Sequence, residues 1–463
     1  MKPGLRFNDV LAGLSPATGE MLQRVVRVAA AQKIPIQLVG GPVRDLLLRR
    51  PVLDVDLLVE GEARELGEAI AADAGDPSLT IEAHDRFGTL RLKTSAAQID
   101  LAQLRSEHYP HPGALPEVGL GTHEEDSRRR DFSINAMSCA LDAEHPTKTN
   151  PICDFAGGLE DLRLGKLRIL HPQSFHDDPT RAWRAARLSE RLGFSLDRKS
   201  RSALRDALRD GAFGAVSGDR WRRELQRSFE EAEQGVHVGQ ILRSLSNWHV
   251  LAAMEPGLTL NSDRLAPLRR LSRAIATPDW VAPRSRSWVA GLSIWLTPLP
   301  FGLRRRSLER FSIRGEQAKR IANFGREAER WLRVMNRARG RGAVDAALSE
   351  LPEEMVQALY ALAPPPIRRR MLRWGAEDRR RRVPVGGRDL VEFGLSGPDV
   401  GRALARIRAG FLDGEIANRE EALVLAEEFT KRVSRRRGRR KEQTGLRRVA
   451  QRSGIADTPN VDD

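Results

Sequence analysis

Two cysteines, Cys139 and Cys153, and two tyrosines are all that 463 residues contain of either type. The cysteines form no Cys-x-x-Cys pair and stand beside no histidine cluster. Neither a zinc site nor a disulfide framework is expected, which fits a reducing cytoplasm. No apolar run reaches the roughly 20 residues needed to cross a bilayer, so no membrane-spanning helix is expected. The N-terminus lacks the basic-then-apolar order of a secretory signal. Neither His237 nor His249 belongs to an adjacent His-Asp pair, so no attached phosphohydrolase is expected. With aromatics at 5%, an extended platform for stacking single-stranded bases is less expected than a grip on a duplex backbone.

What is abundant is charge. Lys and Arg number 77 against 62 Asp and Glu, giving a net +15 and a pI near 10.7. A balance this basic suggests a polyanionic partner, without separating RNA, DNA or an anionic membrane surface. The length implies about two to four domains. No obligate protein partner is evident.

The chain is organised around Leu38–Asp56, LVGGPVRDLLLRRPVLDVD. The apolar run 36–39 has the composition of a buried strand. Gly40 and Gly41 follow at a strand-to-helix turn, where phosphate oxygens can approach the backbone and meet a helix N-terminus. Arg44 lies on that helix. Asp54 and Asp56 stand at i and i+2, so on one strand they share a face. Paired carboxylates repel unless a cation lies between them, and Mg²⁺ bound through a few carboxylates and substrate phosphates suits that arrangement. A lone Asp-x-Asp would read as a solvated strand; the glycine turn and Arg44 upstream change the odds.

Residues 17–33 and 61–75 have helical periodicity. Strands are expected over 79–83, 88–93 and 98–101. Asp100 on the third of these would complete a carboxylate platform or accept a proton from an attacking hydroxyl. Residues 106–123, rich in His, Pro and Gly, read as a loop, with His108, His111 and His123 as ordinary loop histidines. In Arg128–Ser138, RRRDFSINAMS, Asp131 and Asn135 are four apart and share a helix face, and guanidinium forks suit phosphate oxygens. In Phe175–Phe194, Asp178, Arg181, Arg184 and Arg187 recur every third residue and drift slowly round a helix toward one elongated cleft. Asp accepts from an exocyclic amine and Arg donates to ring nitrogens and carbonyls, so the pair can read a base edge.

GGPVRD followed by DVD, then RRDFSIN and DDPTRAWRAAR, resembles the class II tRNA nucleotidyltransferases. These comprise the CCA-adding enzymes and bacterial poly(A) polymerases of the polymerase-beta-like superfamily. The resemblance implies an α+β chain: a small mixed-sheet nucleotidyltransferase head over 1–150, then an all-α neck over 151–230. A helical body (231–382), a helical tail (383–430) and an unstructured basic segment (431–463) would follow. It implies Asp54, Asp56 and Asp100 as catalytic carboxylates, the first two holding Mg²⁺. It gives Gly40, Gly41, Arg44 and Arg130 the nucleotide's phosphates, Asp131 the ribose hydroxyl, and Asn135 the bracing of the site. Asp178 and Arg181 would select the base, with Arg184 and Arg187 contacting the nucleotide or packing beneath it. Asp219, Arg220 and Glu224 would brace the neck through ion pairs. In this sequence Asp177 stands where the family usually has Glu, and Trp183 where it has Leu. The segment 78–85 before FGTLRL (Phe87–Leu92) is short for the loop that helps the last adenosine addition.

The implied activity is addition of C, C and A from CTP and ATP to the 3′ end of tRNA, without a nucleic-acid template, by a two-Mg²⁺ mechanism that releases pyrophosphate. Alternatives are a CC-adding or A-adding enzyme, a poly(A) polymerase, or a noncatalytic RNA-binding protein. A second GGRD at 386–389 is followed by no Asp-x-Asp, so it does not repeat the site; Val385–Leu423 resembles the tRNA-binding tail. Basic clusters at 304–306, 368–370 and 379–382 are candidates for RNA contacts.

Overall fold

The computed structural model describes residues 3–75, 78–84, 88–108, 110, 116–277 and 287–452. The chain forms two compact units, Met1–Leu265 with Leu299–Ala318, and Ala266–Pro298 with Lys319–Asp463. Among the described residues no helix is long and apolar enough to cross a membrane.

The first unit begins with β1 (Gly4–Arg6), α1 (Phe7–Ala12), α2 (Pro16–Ala31) and β2 (Ile36–Val39). Ser15 accepts from the Thr18 amide to cap α2, and Pro16 occupies its first turn, where a missing N–H costs nothing. Then come α3 (Gly41–Leu47), β3 (Asp56–Val59), α4 (Ala63–Ala74), β4 (Thr80–His84), β5 (Thr89–Lys93) and β6 (Gln98–Gln103). These are followed by β7 (Arg105–His108), β8 (Glu117–Leu120), α5 (His123–Arg128), β9 (Ser138–Ala140) and β10 (Thr149–Cys153). An eight-stranded sheet runs in the order β1-β10-β9-β2-β3-β6-β5-β4. The β3–β6 pairing is parallel and the neighbouring β2–β3 and β5–β6 pairings are antiparallel, so the sheet is mixed as expected. Leu22, Val25, Leu38, Leu57, Leu66, Ile99 and Leu101 are all buried between the sheet and its helices.

The neck follows: α6 (Gly158–Leu164), β11 (Lys166–Leu167), α7 (Ser174–Asp177), α8 (Thr180–Leu192), β12 (Ser195–Leu196), α9 (Arg198–Arg209) and α10 (Gly218–Glu230). Trp183 is fully buried in it. Its ring lies 6.1 Å from Trp221 and 6.2 Å, edge-on, from Phe311, and its indole N–H donates to Ser228 at 2.8 Å. The larger residue at a usual leucine position is thus accommodated by an aromatic core and a hydrogen-bond partner.

Several expectations need correction. The segment expected to be a loop over 106–123 contains β7 and β8 paired antiparallel; its strands are polar and largely unburied, so no apolar alternation advertised them. His108 ends β7, His123 opens α5 and contacts Glu60 Oε1 at 2.7 Å, and His111 lies outside the described residues. Phe87 and Asp85, at the junction of the expected short loop and FGTLRL, also lie outside them. The helix Val238–Asn247, beyond the expected neck, packs on α8, and both lie in the first compact unit. The described part of the segment expected to be unstructured from 431 falls within a helix, Arg419–Arg452, a stretch rich in good helix formers; 453–463 lie outside the described residues.

In the second unit, Ser287–Leu296 is a helix buried on every side. Val385, Leu390, Leu395, Ala403, Ile407, Ile416, Ala422 and Ala426 form a small core of their own. The second GGRD is a helix start there: Asp389 accepts from the Gly386 amide at 2.6 Å and pairs with Arg419.

Candidate active site

The sheet register sets the carboxylates. Asp56 opens β3 and lies directly beside Asp100 of β6, and the Asp100 amide donates to the Val55 carbonyl at 2.9 Å. Asp54 precedes the strand and is exposed, so it reaches the site from the approach to β3 rather than from the strand itself. Burial, reinforced by the neighbouring charges of Asp100 and Asp54, pushes the Asp56 carboxyl up to about 6, although Arg130 and Arg184 pull the other way. Such mutual repulsion is what a bound cation would relieve. Both oxygens of Asp100 accept from the Arg91 guanidinium, at 2.8 and 2.9 Å.

The glycine turn is built by conformation. Gly40 has φ +77° and ψ −129°, a region closed to L side chains, and a Cβ there would stand 3.1 Å from Arg130 Nη1. Its amide donates to the Met137 carbonyl at 2.9 Å, tying β2 to the segment before β9. Gly41 begins α3. Arg44 is buried, with a bidentate bond to Asp45 (2.9 and 2.8 Å) and a third to Asn135 Oδ1 at 2.5 Å. Arg191 of the neck also pairs with Asp45 at 2.8 Å.

Asp131 joins head and neck. Its Oδ1 accepts from the Phe132 amide and from Asn135 Nδ2, and its Oδ2 from Arg184 Nε at 2.8 Å. Burial works to raise its pKa, but the Arg184 charge and the hydrogen bonds from Arg184 and Asn135 outweigh it and hold the carboxyl at about 2. Asn135 ends a short 3-10 turn, Ser133–Asn135, rather than an α-helix shared with Asp131; the Nδ2 bond brings the two together all the same. Asp126, buried, takes guanidinium forks from both Arg129 and Arg130.

On the neck side, the expected single helix is broken. Asp178 lies in the turn between α7 and α8, just before Pro179, so only Arg181, Arg184 and Arg187 share α8. Proline disfavours helical geometry in the residue before it, which explains the break. Asp178 Oδ1 accepts from the Thr180 amide and hydroxyl and from Arg220 at 2.7 Å. Arg181 is buried and donates to Ser174 Oγ at 2.6 Å and to the Arg129 carbonyl at 2.8 Å. Arg187 bridges Glu224 and Glu231 at 3.0 and 3.1 Å. The bracing expected of Arg220 and Glu224 is visible in these ion pairs, whereas Asp219 pairs only with Arg222 among the described residues.

The thirteen expected site residues meet at one cleft of about 700 Å³. Gly40, Gly41, Arg44, Asp54, Asp56, Asp100, Arg130, Asp131, Asn135, Asp178, Arg181, Arg184 and Arg187 all line it. Arg91, Arg105, Arg129 and Arg191 line it too, and the motifs give none of them that place. Arg91 had a findable signal. It and Asp100 are equidistant from the turn joining β5 to β6, and such residues face each other across a hairpin. Among the described residues no three His, Cys, Asp or Glu side chains converge into a ready metal cage. Asp54 and Asp56 could therefore hold a magnesium ion only with phosphate oxygens and water completing its shell, which is that ion's habit.

Residues 36–168 match the Poly A polymerase head domain family. Over 427 residues the chain is 30% identical to the A-adding tRNA nucleotidyltransferase of Halalkalibacterium halodurans, covering 89% of this chain and 92% of that protein. It is 29% identical over 421 residues to the A-adding tRNA nucleotidyltransferase of Geobacter sulfurreducens. That match covers 88% of this chain, which spans about half the length of the Geobacter protein, at 47%. Among solved structures, a CCA-adding enzyme in complex with CTP is 25% identical with a TM-score of 0.63, covering 91% of this chain and 98% of that one.

Proposed function

The chain belongs to the tRNA nucleotidyltransferase family, and from that premise we propose that it transfers nucleotides from ATP and CTP to the 3′ hydroxyl of tRNA, without a template, releasing pyrophosphate. The observation that carries this reading is a single cleft lined both by Asp54, Asp56 and Asp100 of the head and by Asp178 and Arg181 of the neck. A carboxylate platform for phosphoryl transfer and a polar pair for a base edge then face one nucleotide.

Asp54 and Asp56 would hold magnesium, two ions in the mechanism proposed, which would supply charge neutralisation at the α-phosphate and a more acidic attacking hydroxyl. Asp100 joins the platform or receives the hydroxyl's proton. Gly40 and Gly41 let the triphosphate approach the backbone, and Arg130 supplies charge beside it. Arg44, held by Asp45, and Asn135 fix the turn on which the phosphates rest. Asp131 faces the ribose. Asp178 accepts from the exocyclic amine of C or A while Arg181, fixed by Ser174 and the Arg129 backbone, donates to the ring. Arg184 and Arg187 support the nucleotide from below. The reading places the protein in the cytoplasm with its tRNA, and the net charge of +15 suits that polyanion.

Addition of C, C and A remains the reading taken from the motifs. A second reading, addition of the terminal A alone, is favoured by the A-adding relative matched over 89% of this chain. Incubating tRNA with no CCA end, and tRNA ending in CC, with CTP, ATP or both separates them. Growth of the first by three residues supports full CCA addition. Extension of only the CC-ended tRNA, by one A, supports the second reading. Long A tracts would favour a poly(A) polymerase, and no incorporation on either substrate would overturn the proposal.

A further inference from the structure

Three neighbouring strands bring a guanidinium into one row with two carboxylates. The parallel register of β3 and β6 sets Asp56 beside Asp100, and the antiparallel register of β5 and β6 sets Arg91 on its other side. Residues directly opposite across a ladder point to the same face, so Arg91 shares the cleft with the acids. Its fork closes on both Asp100 oxygens, Nε to Oδ1 at 2.8 Å and Nη2 to Oδ2 at 2.9 Å. Asp54 and Glu82 add attraction.

A fork closed on both Asp100 oxygens competes with a dication for the same carboxylate. The pair is also open to exchange: the two side chains are 37% and 34% exposed, and ion pairs in contact with water are weakly held. The planar fork that fits a carboxylate fits phosphate oxygens equally well. Resting on the metal reading above, we infer that Arg91 is an exchangeable counter-ion. It neutralises Asp100 while no dication is bound, releases it when the ion and nucleotide arrive, and then donates to the triphosphate. Arg91 thus competes with the metal and supports the nucleotide. Removing it moves the two affinities in opposite directions, whereas a residue that merely braced the sheet would weaken both.

The test uses the full chain without tRNA. Mn²⁺ stands in for Mg²⁺ and is titrated by electron paramagnetic resonance against wild type, Arg91→Gln, Arg91→Lys and Asp54→Asn. ATP affinity is measured separately at saturating Mn²⁺. Arg91→Gln binds Mn²⁺ about 2–5-fold more tightly, the worth of an exposed ion pair. Its ATP affinity falls about tenfold, the worth of a charge-assisted phosphate contact. Arg91→Lys, which keeps the charge and loses the fork, falls between. Equal or weaker Mn²⁺ binding by Arg91→Gln overturns the inference, as does unchanged ATP affinity. If Arg91→Gln melts at a lower temperature, Arg91→Lys decides by the same criteria. Wild type and Asp54→Asn binding Mn²⁺ alike would instead remove the metal reading, and the inference with it.

Discussion

A buried carboxylate is tolerable only when its charge is matched, and Asp131 shows how the cleft does this. Burial would raise its pKa, but Arg184, Asn135 and the charge of Arg181 hold it at about 2. A depressed carboxylate pKa contributes stability above the unfolded value of 3.8, lost as the pH falls through the folded one. Thermal melts between pH 5 and pH 2 are expected to show this loss, with a shallower decline in Asp131→Asn. At neutral pH that variant should be less stable by about 1–3 kcal/mol, below the figure for a fully buried pair because Arg184 is partly exposed. Asp56 has the opposite sign. Its raised pKa favours the protonated folded state, so without a cation its contribution to stability falls as the pH rises from 3.8 toward about 6. A cation needs the deprotonated form, so Mg²⁺ affinity should drop by about tenfold per pH unit below 6. Calorimetric titration of Mg²⁺ with nucleotide between pH 5 and 7 checks it. Affinity that did not change over that range would remove Asp56 from the binding site.

Elements explain what could be read in advance. Ile36–Val39 was legible as a strand because it is short, apolar and followed by two glycines, and β5 and β6 because apolar and polar residues alternate along them. The glycine turn was legible because few other residues adopt the backbone angles of Gly40. Gly40→Ala is expected to cost about 1–3 kcal/mol, from the φ of +77° and the crowding against Arg130, as chemical denaturation would measure. The β7–β8 pair was not legible: its residues are polar and its burial slight. Nor does local pattern mark the helix α6, which starts at Gly158 directly after Gly157. The α7–α8 break carried a signal in Pro179, but the three-residue spacing of Asp178, Arg181, Arg184 and Arg187 matched one helix equally well. Trp183 shows why a departure from a family pattern can be benign. Trp183→Leu should lose the Ser228 bond and leave space beside Trp221, costing about 2–4 kcal/mol while leaving the cleft's charged residues in place.

For the whole molecule, composition set the class of partner and the site set the chemistry. A net charge of +15 implies a polyanion but does not choose one. The convergence of head and neck residues on a single cleft rested on pairings such as Asp131–Arg184 and Asp45–Arg191, between residues 53 and 146 positions apart, which no local pattern encodes. If phosphate contacts dominate tRNA affinity, it should weaken by a factor of at least about 10 between 50 and 200 mM salt. Filter binding at the two salt concentrations would show it. The most direct measurement of the central claim follows labelled AMP from ATP onto tRNA ending in CC, in wild type and in Asp54→Asn with Asp56→Asn, with tRNA binding measured alongside. Steady incorporation by the wild type, and its loss in the double variant with tRNA binding retained, is the expected result. Undiminished incorporation by the double variant would contradict it.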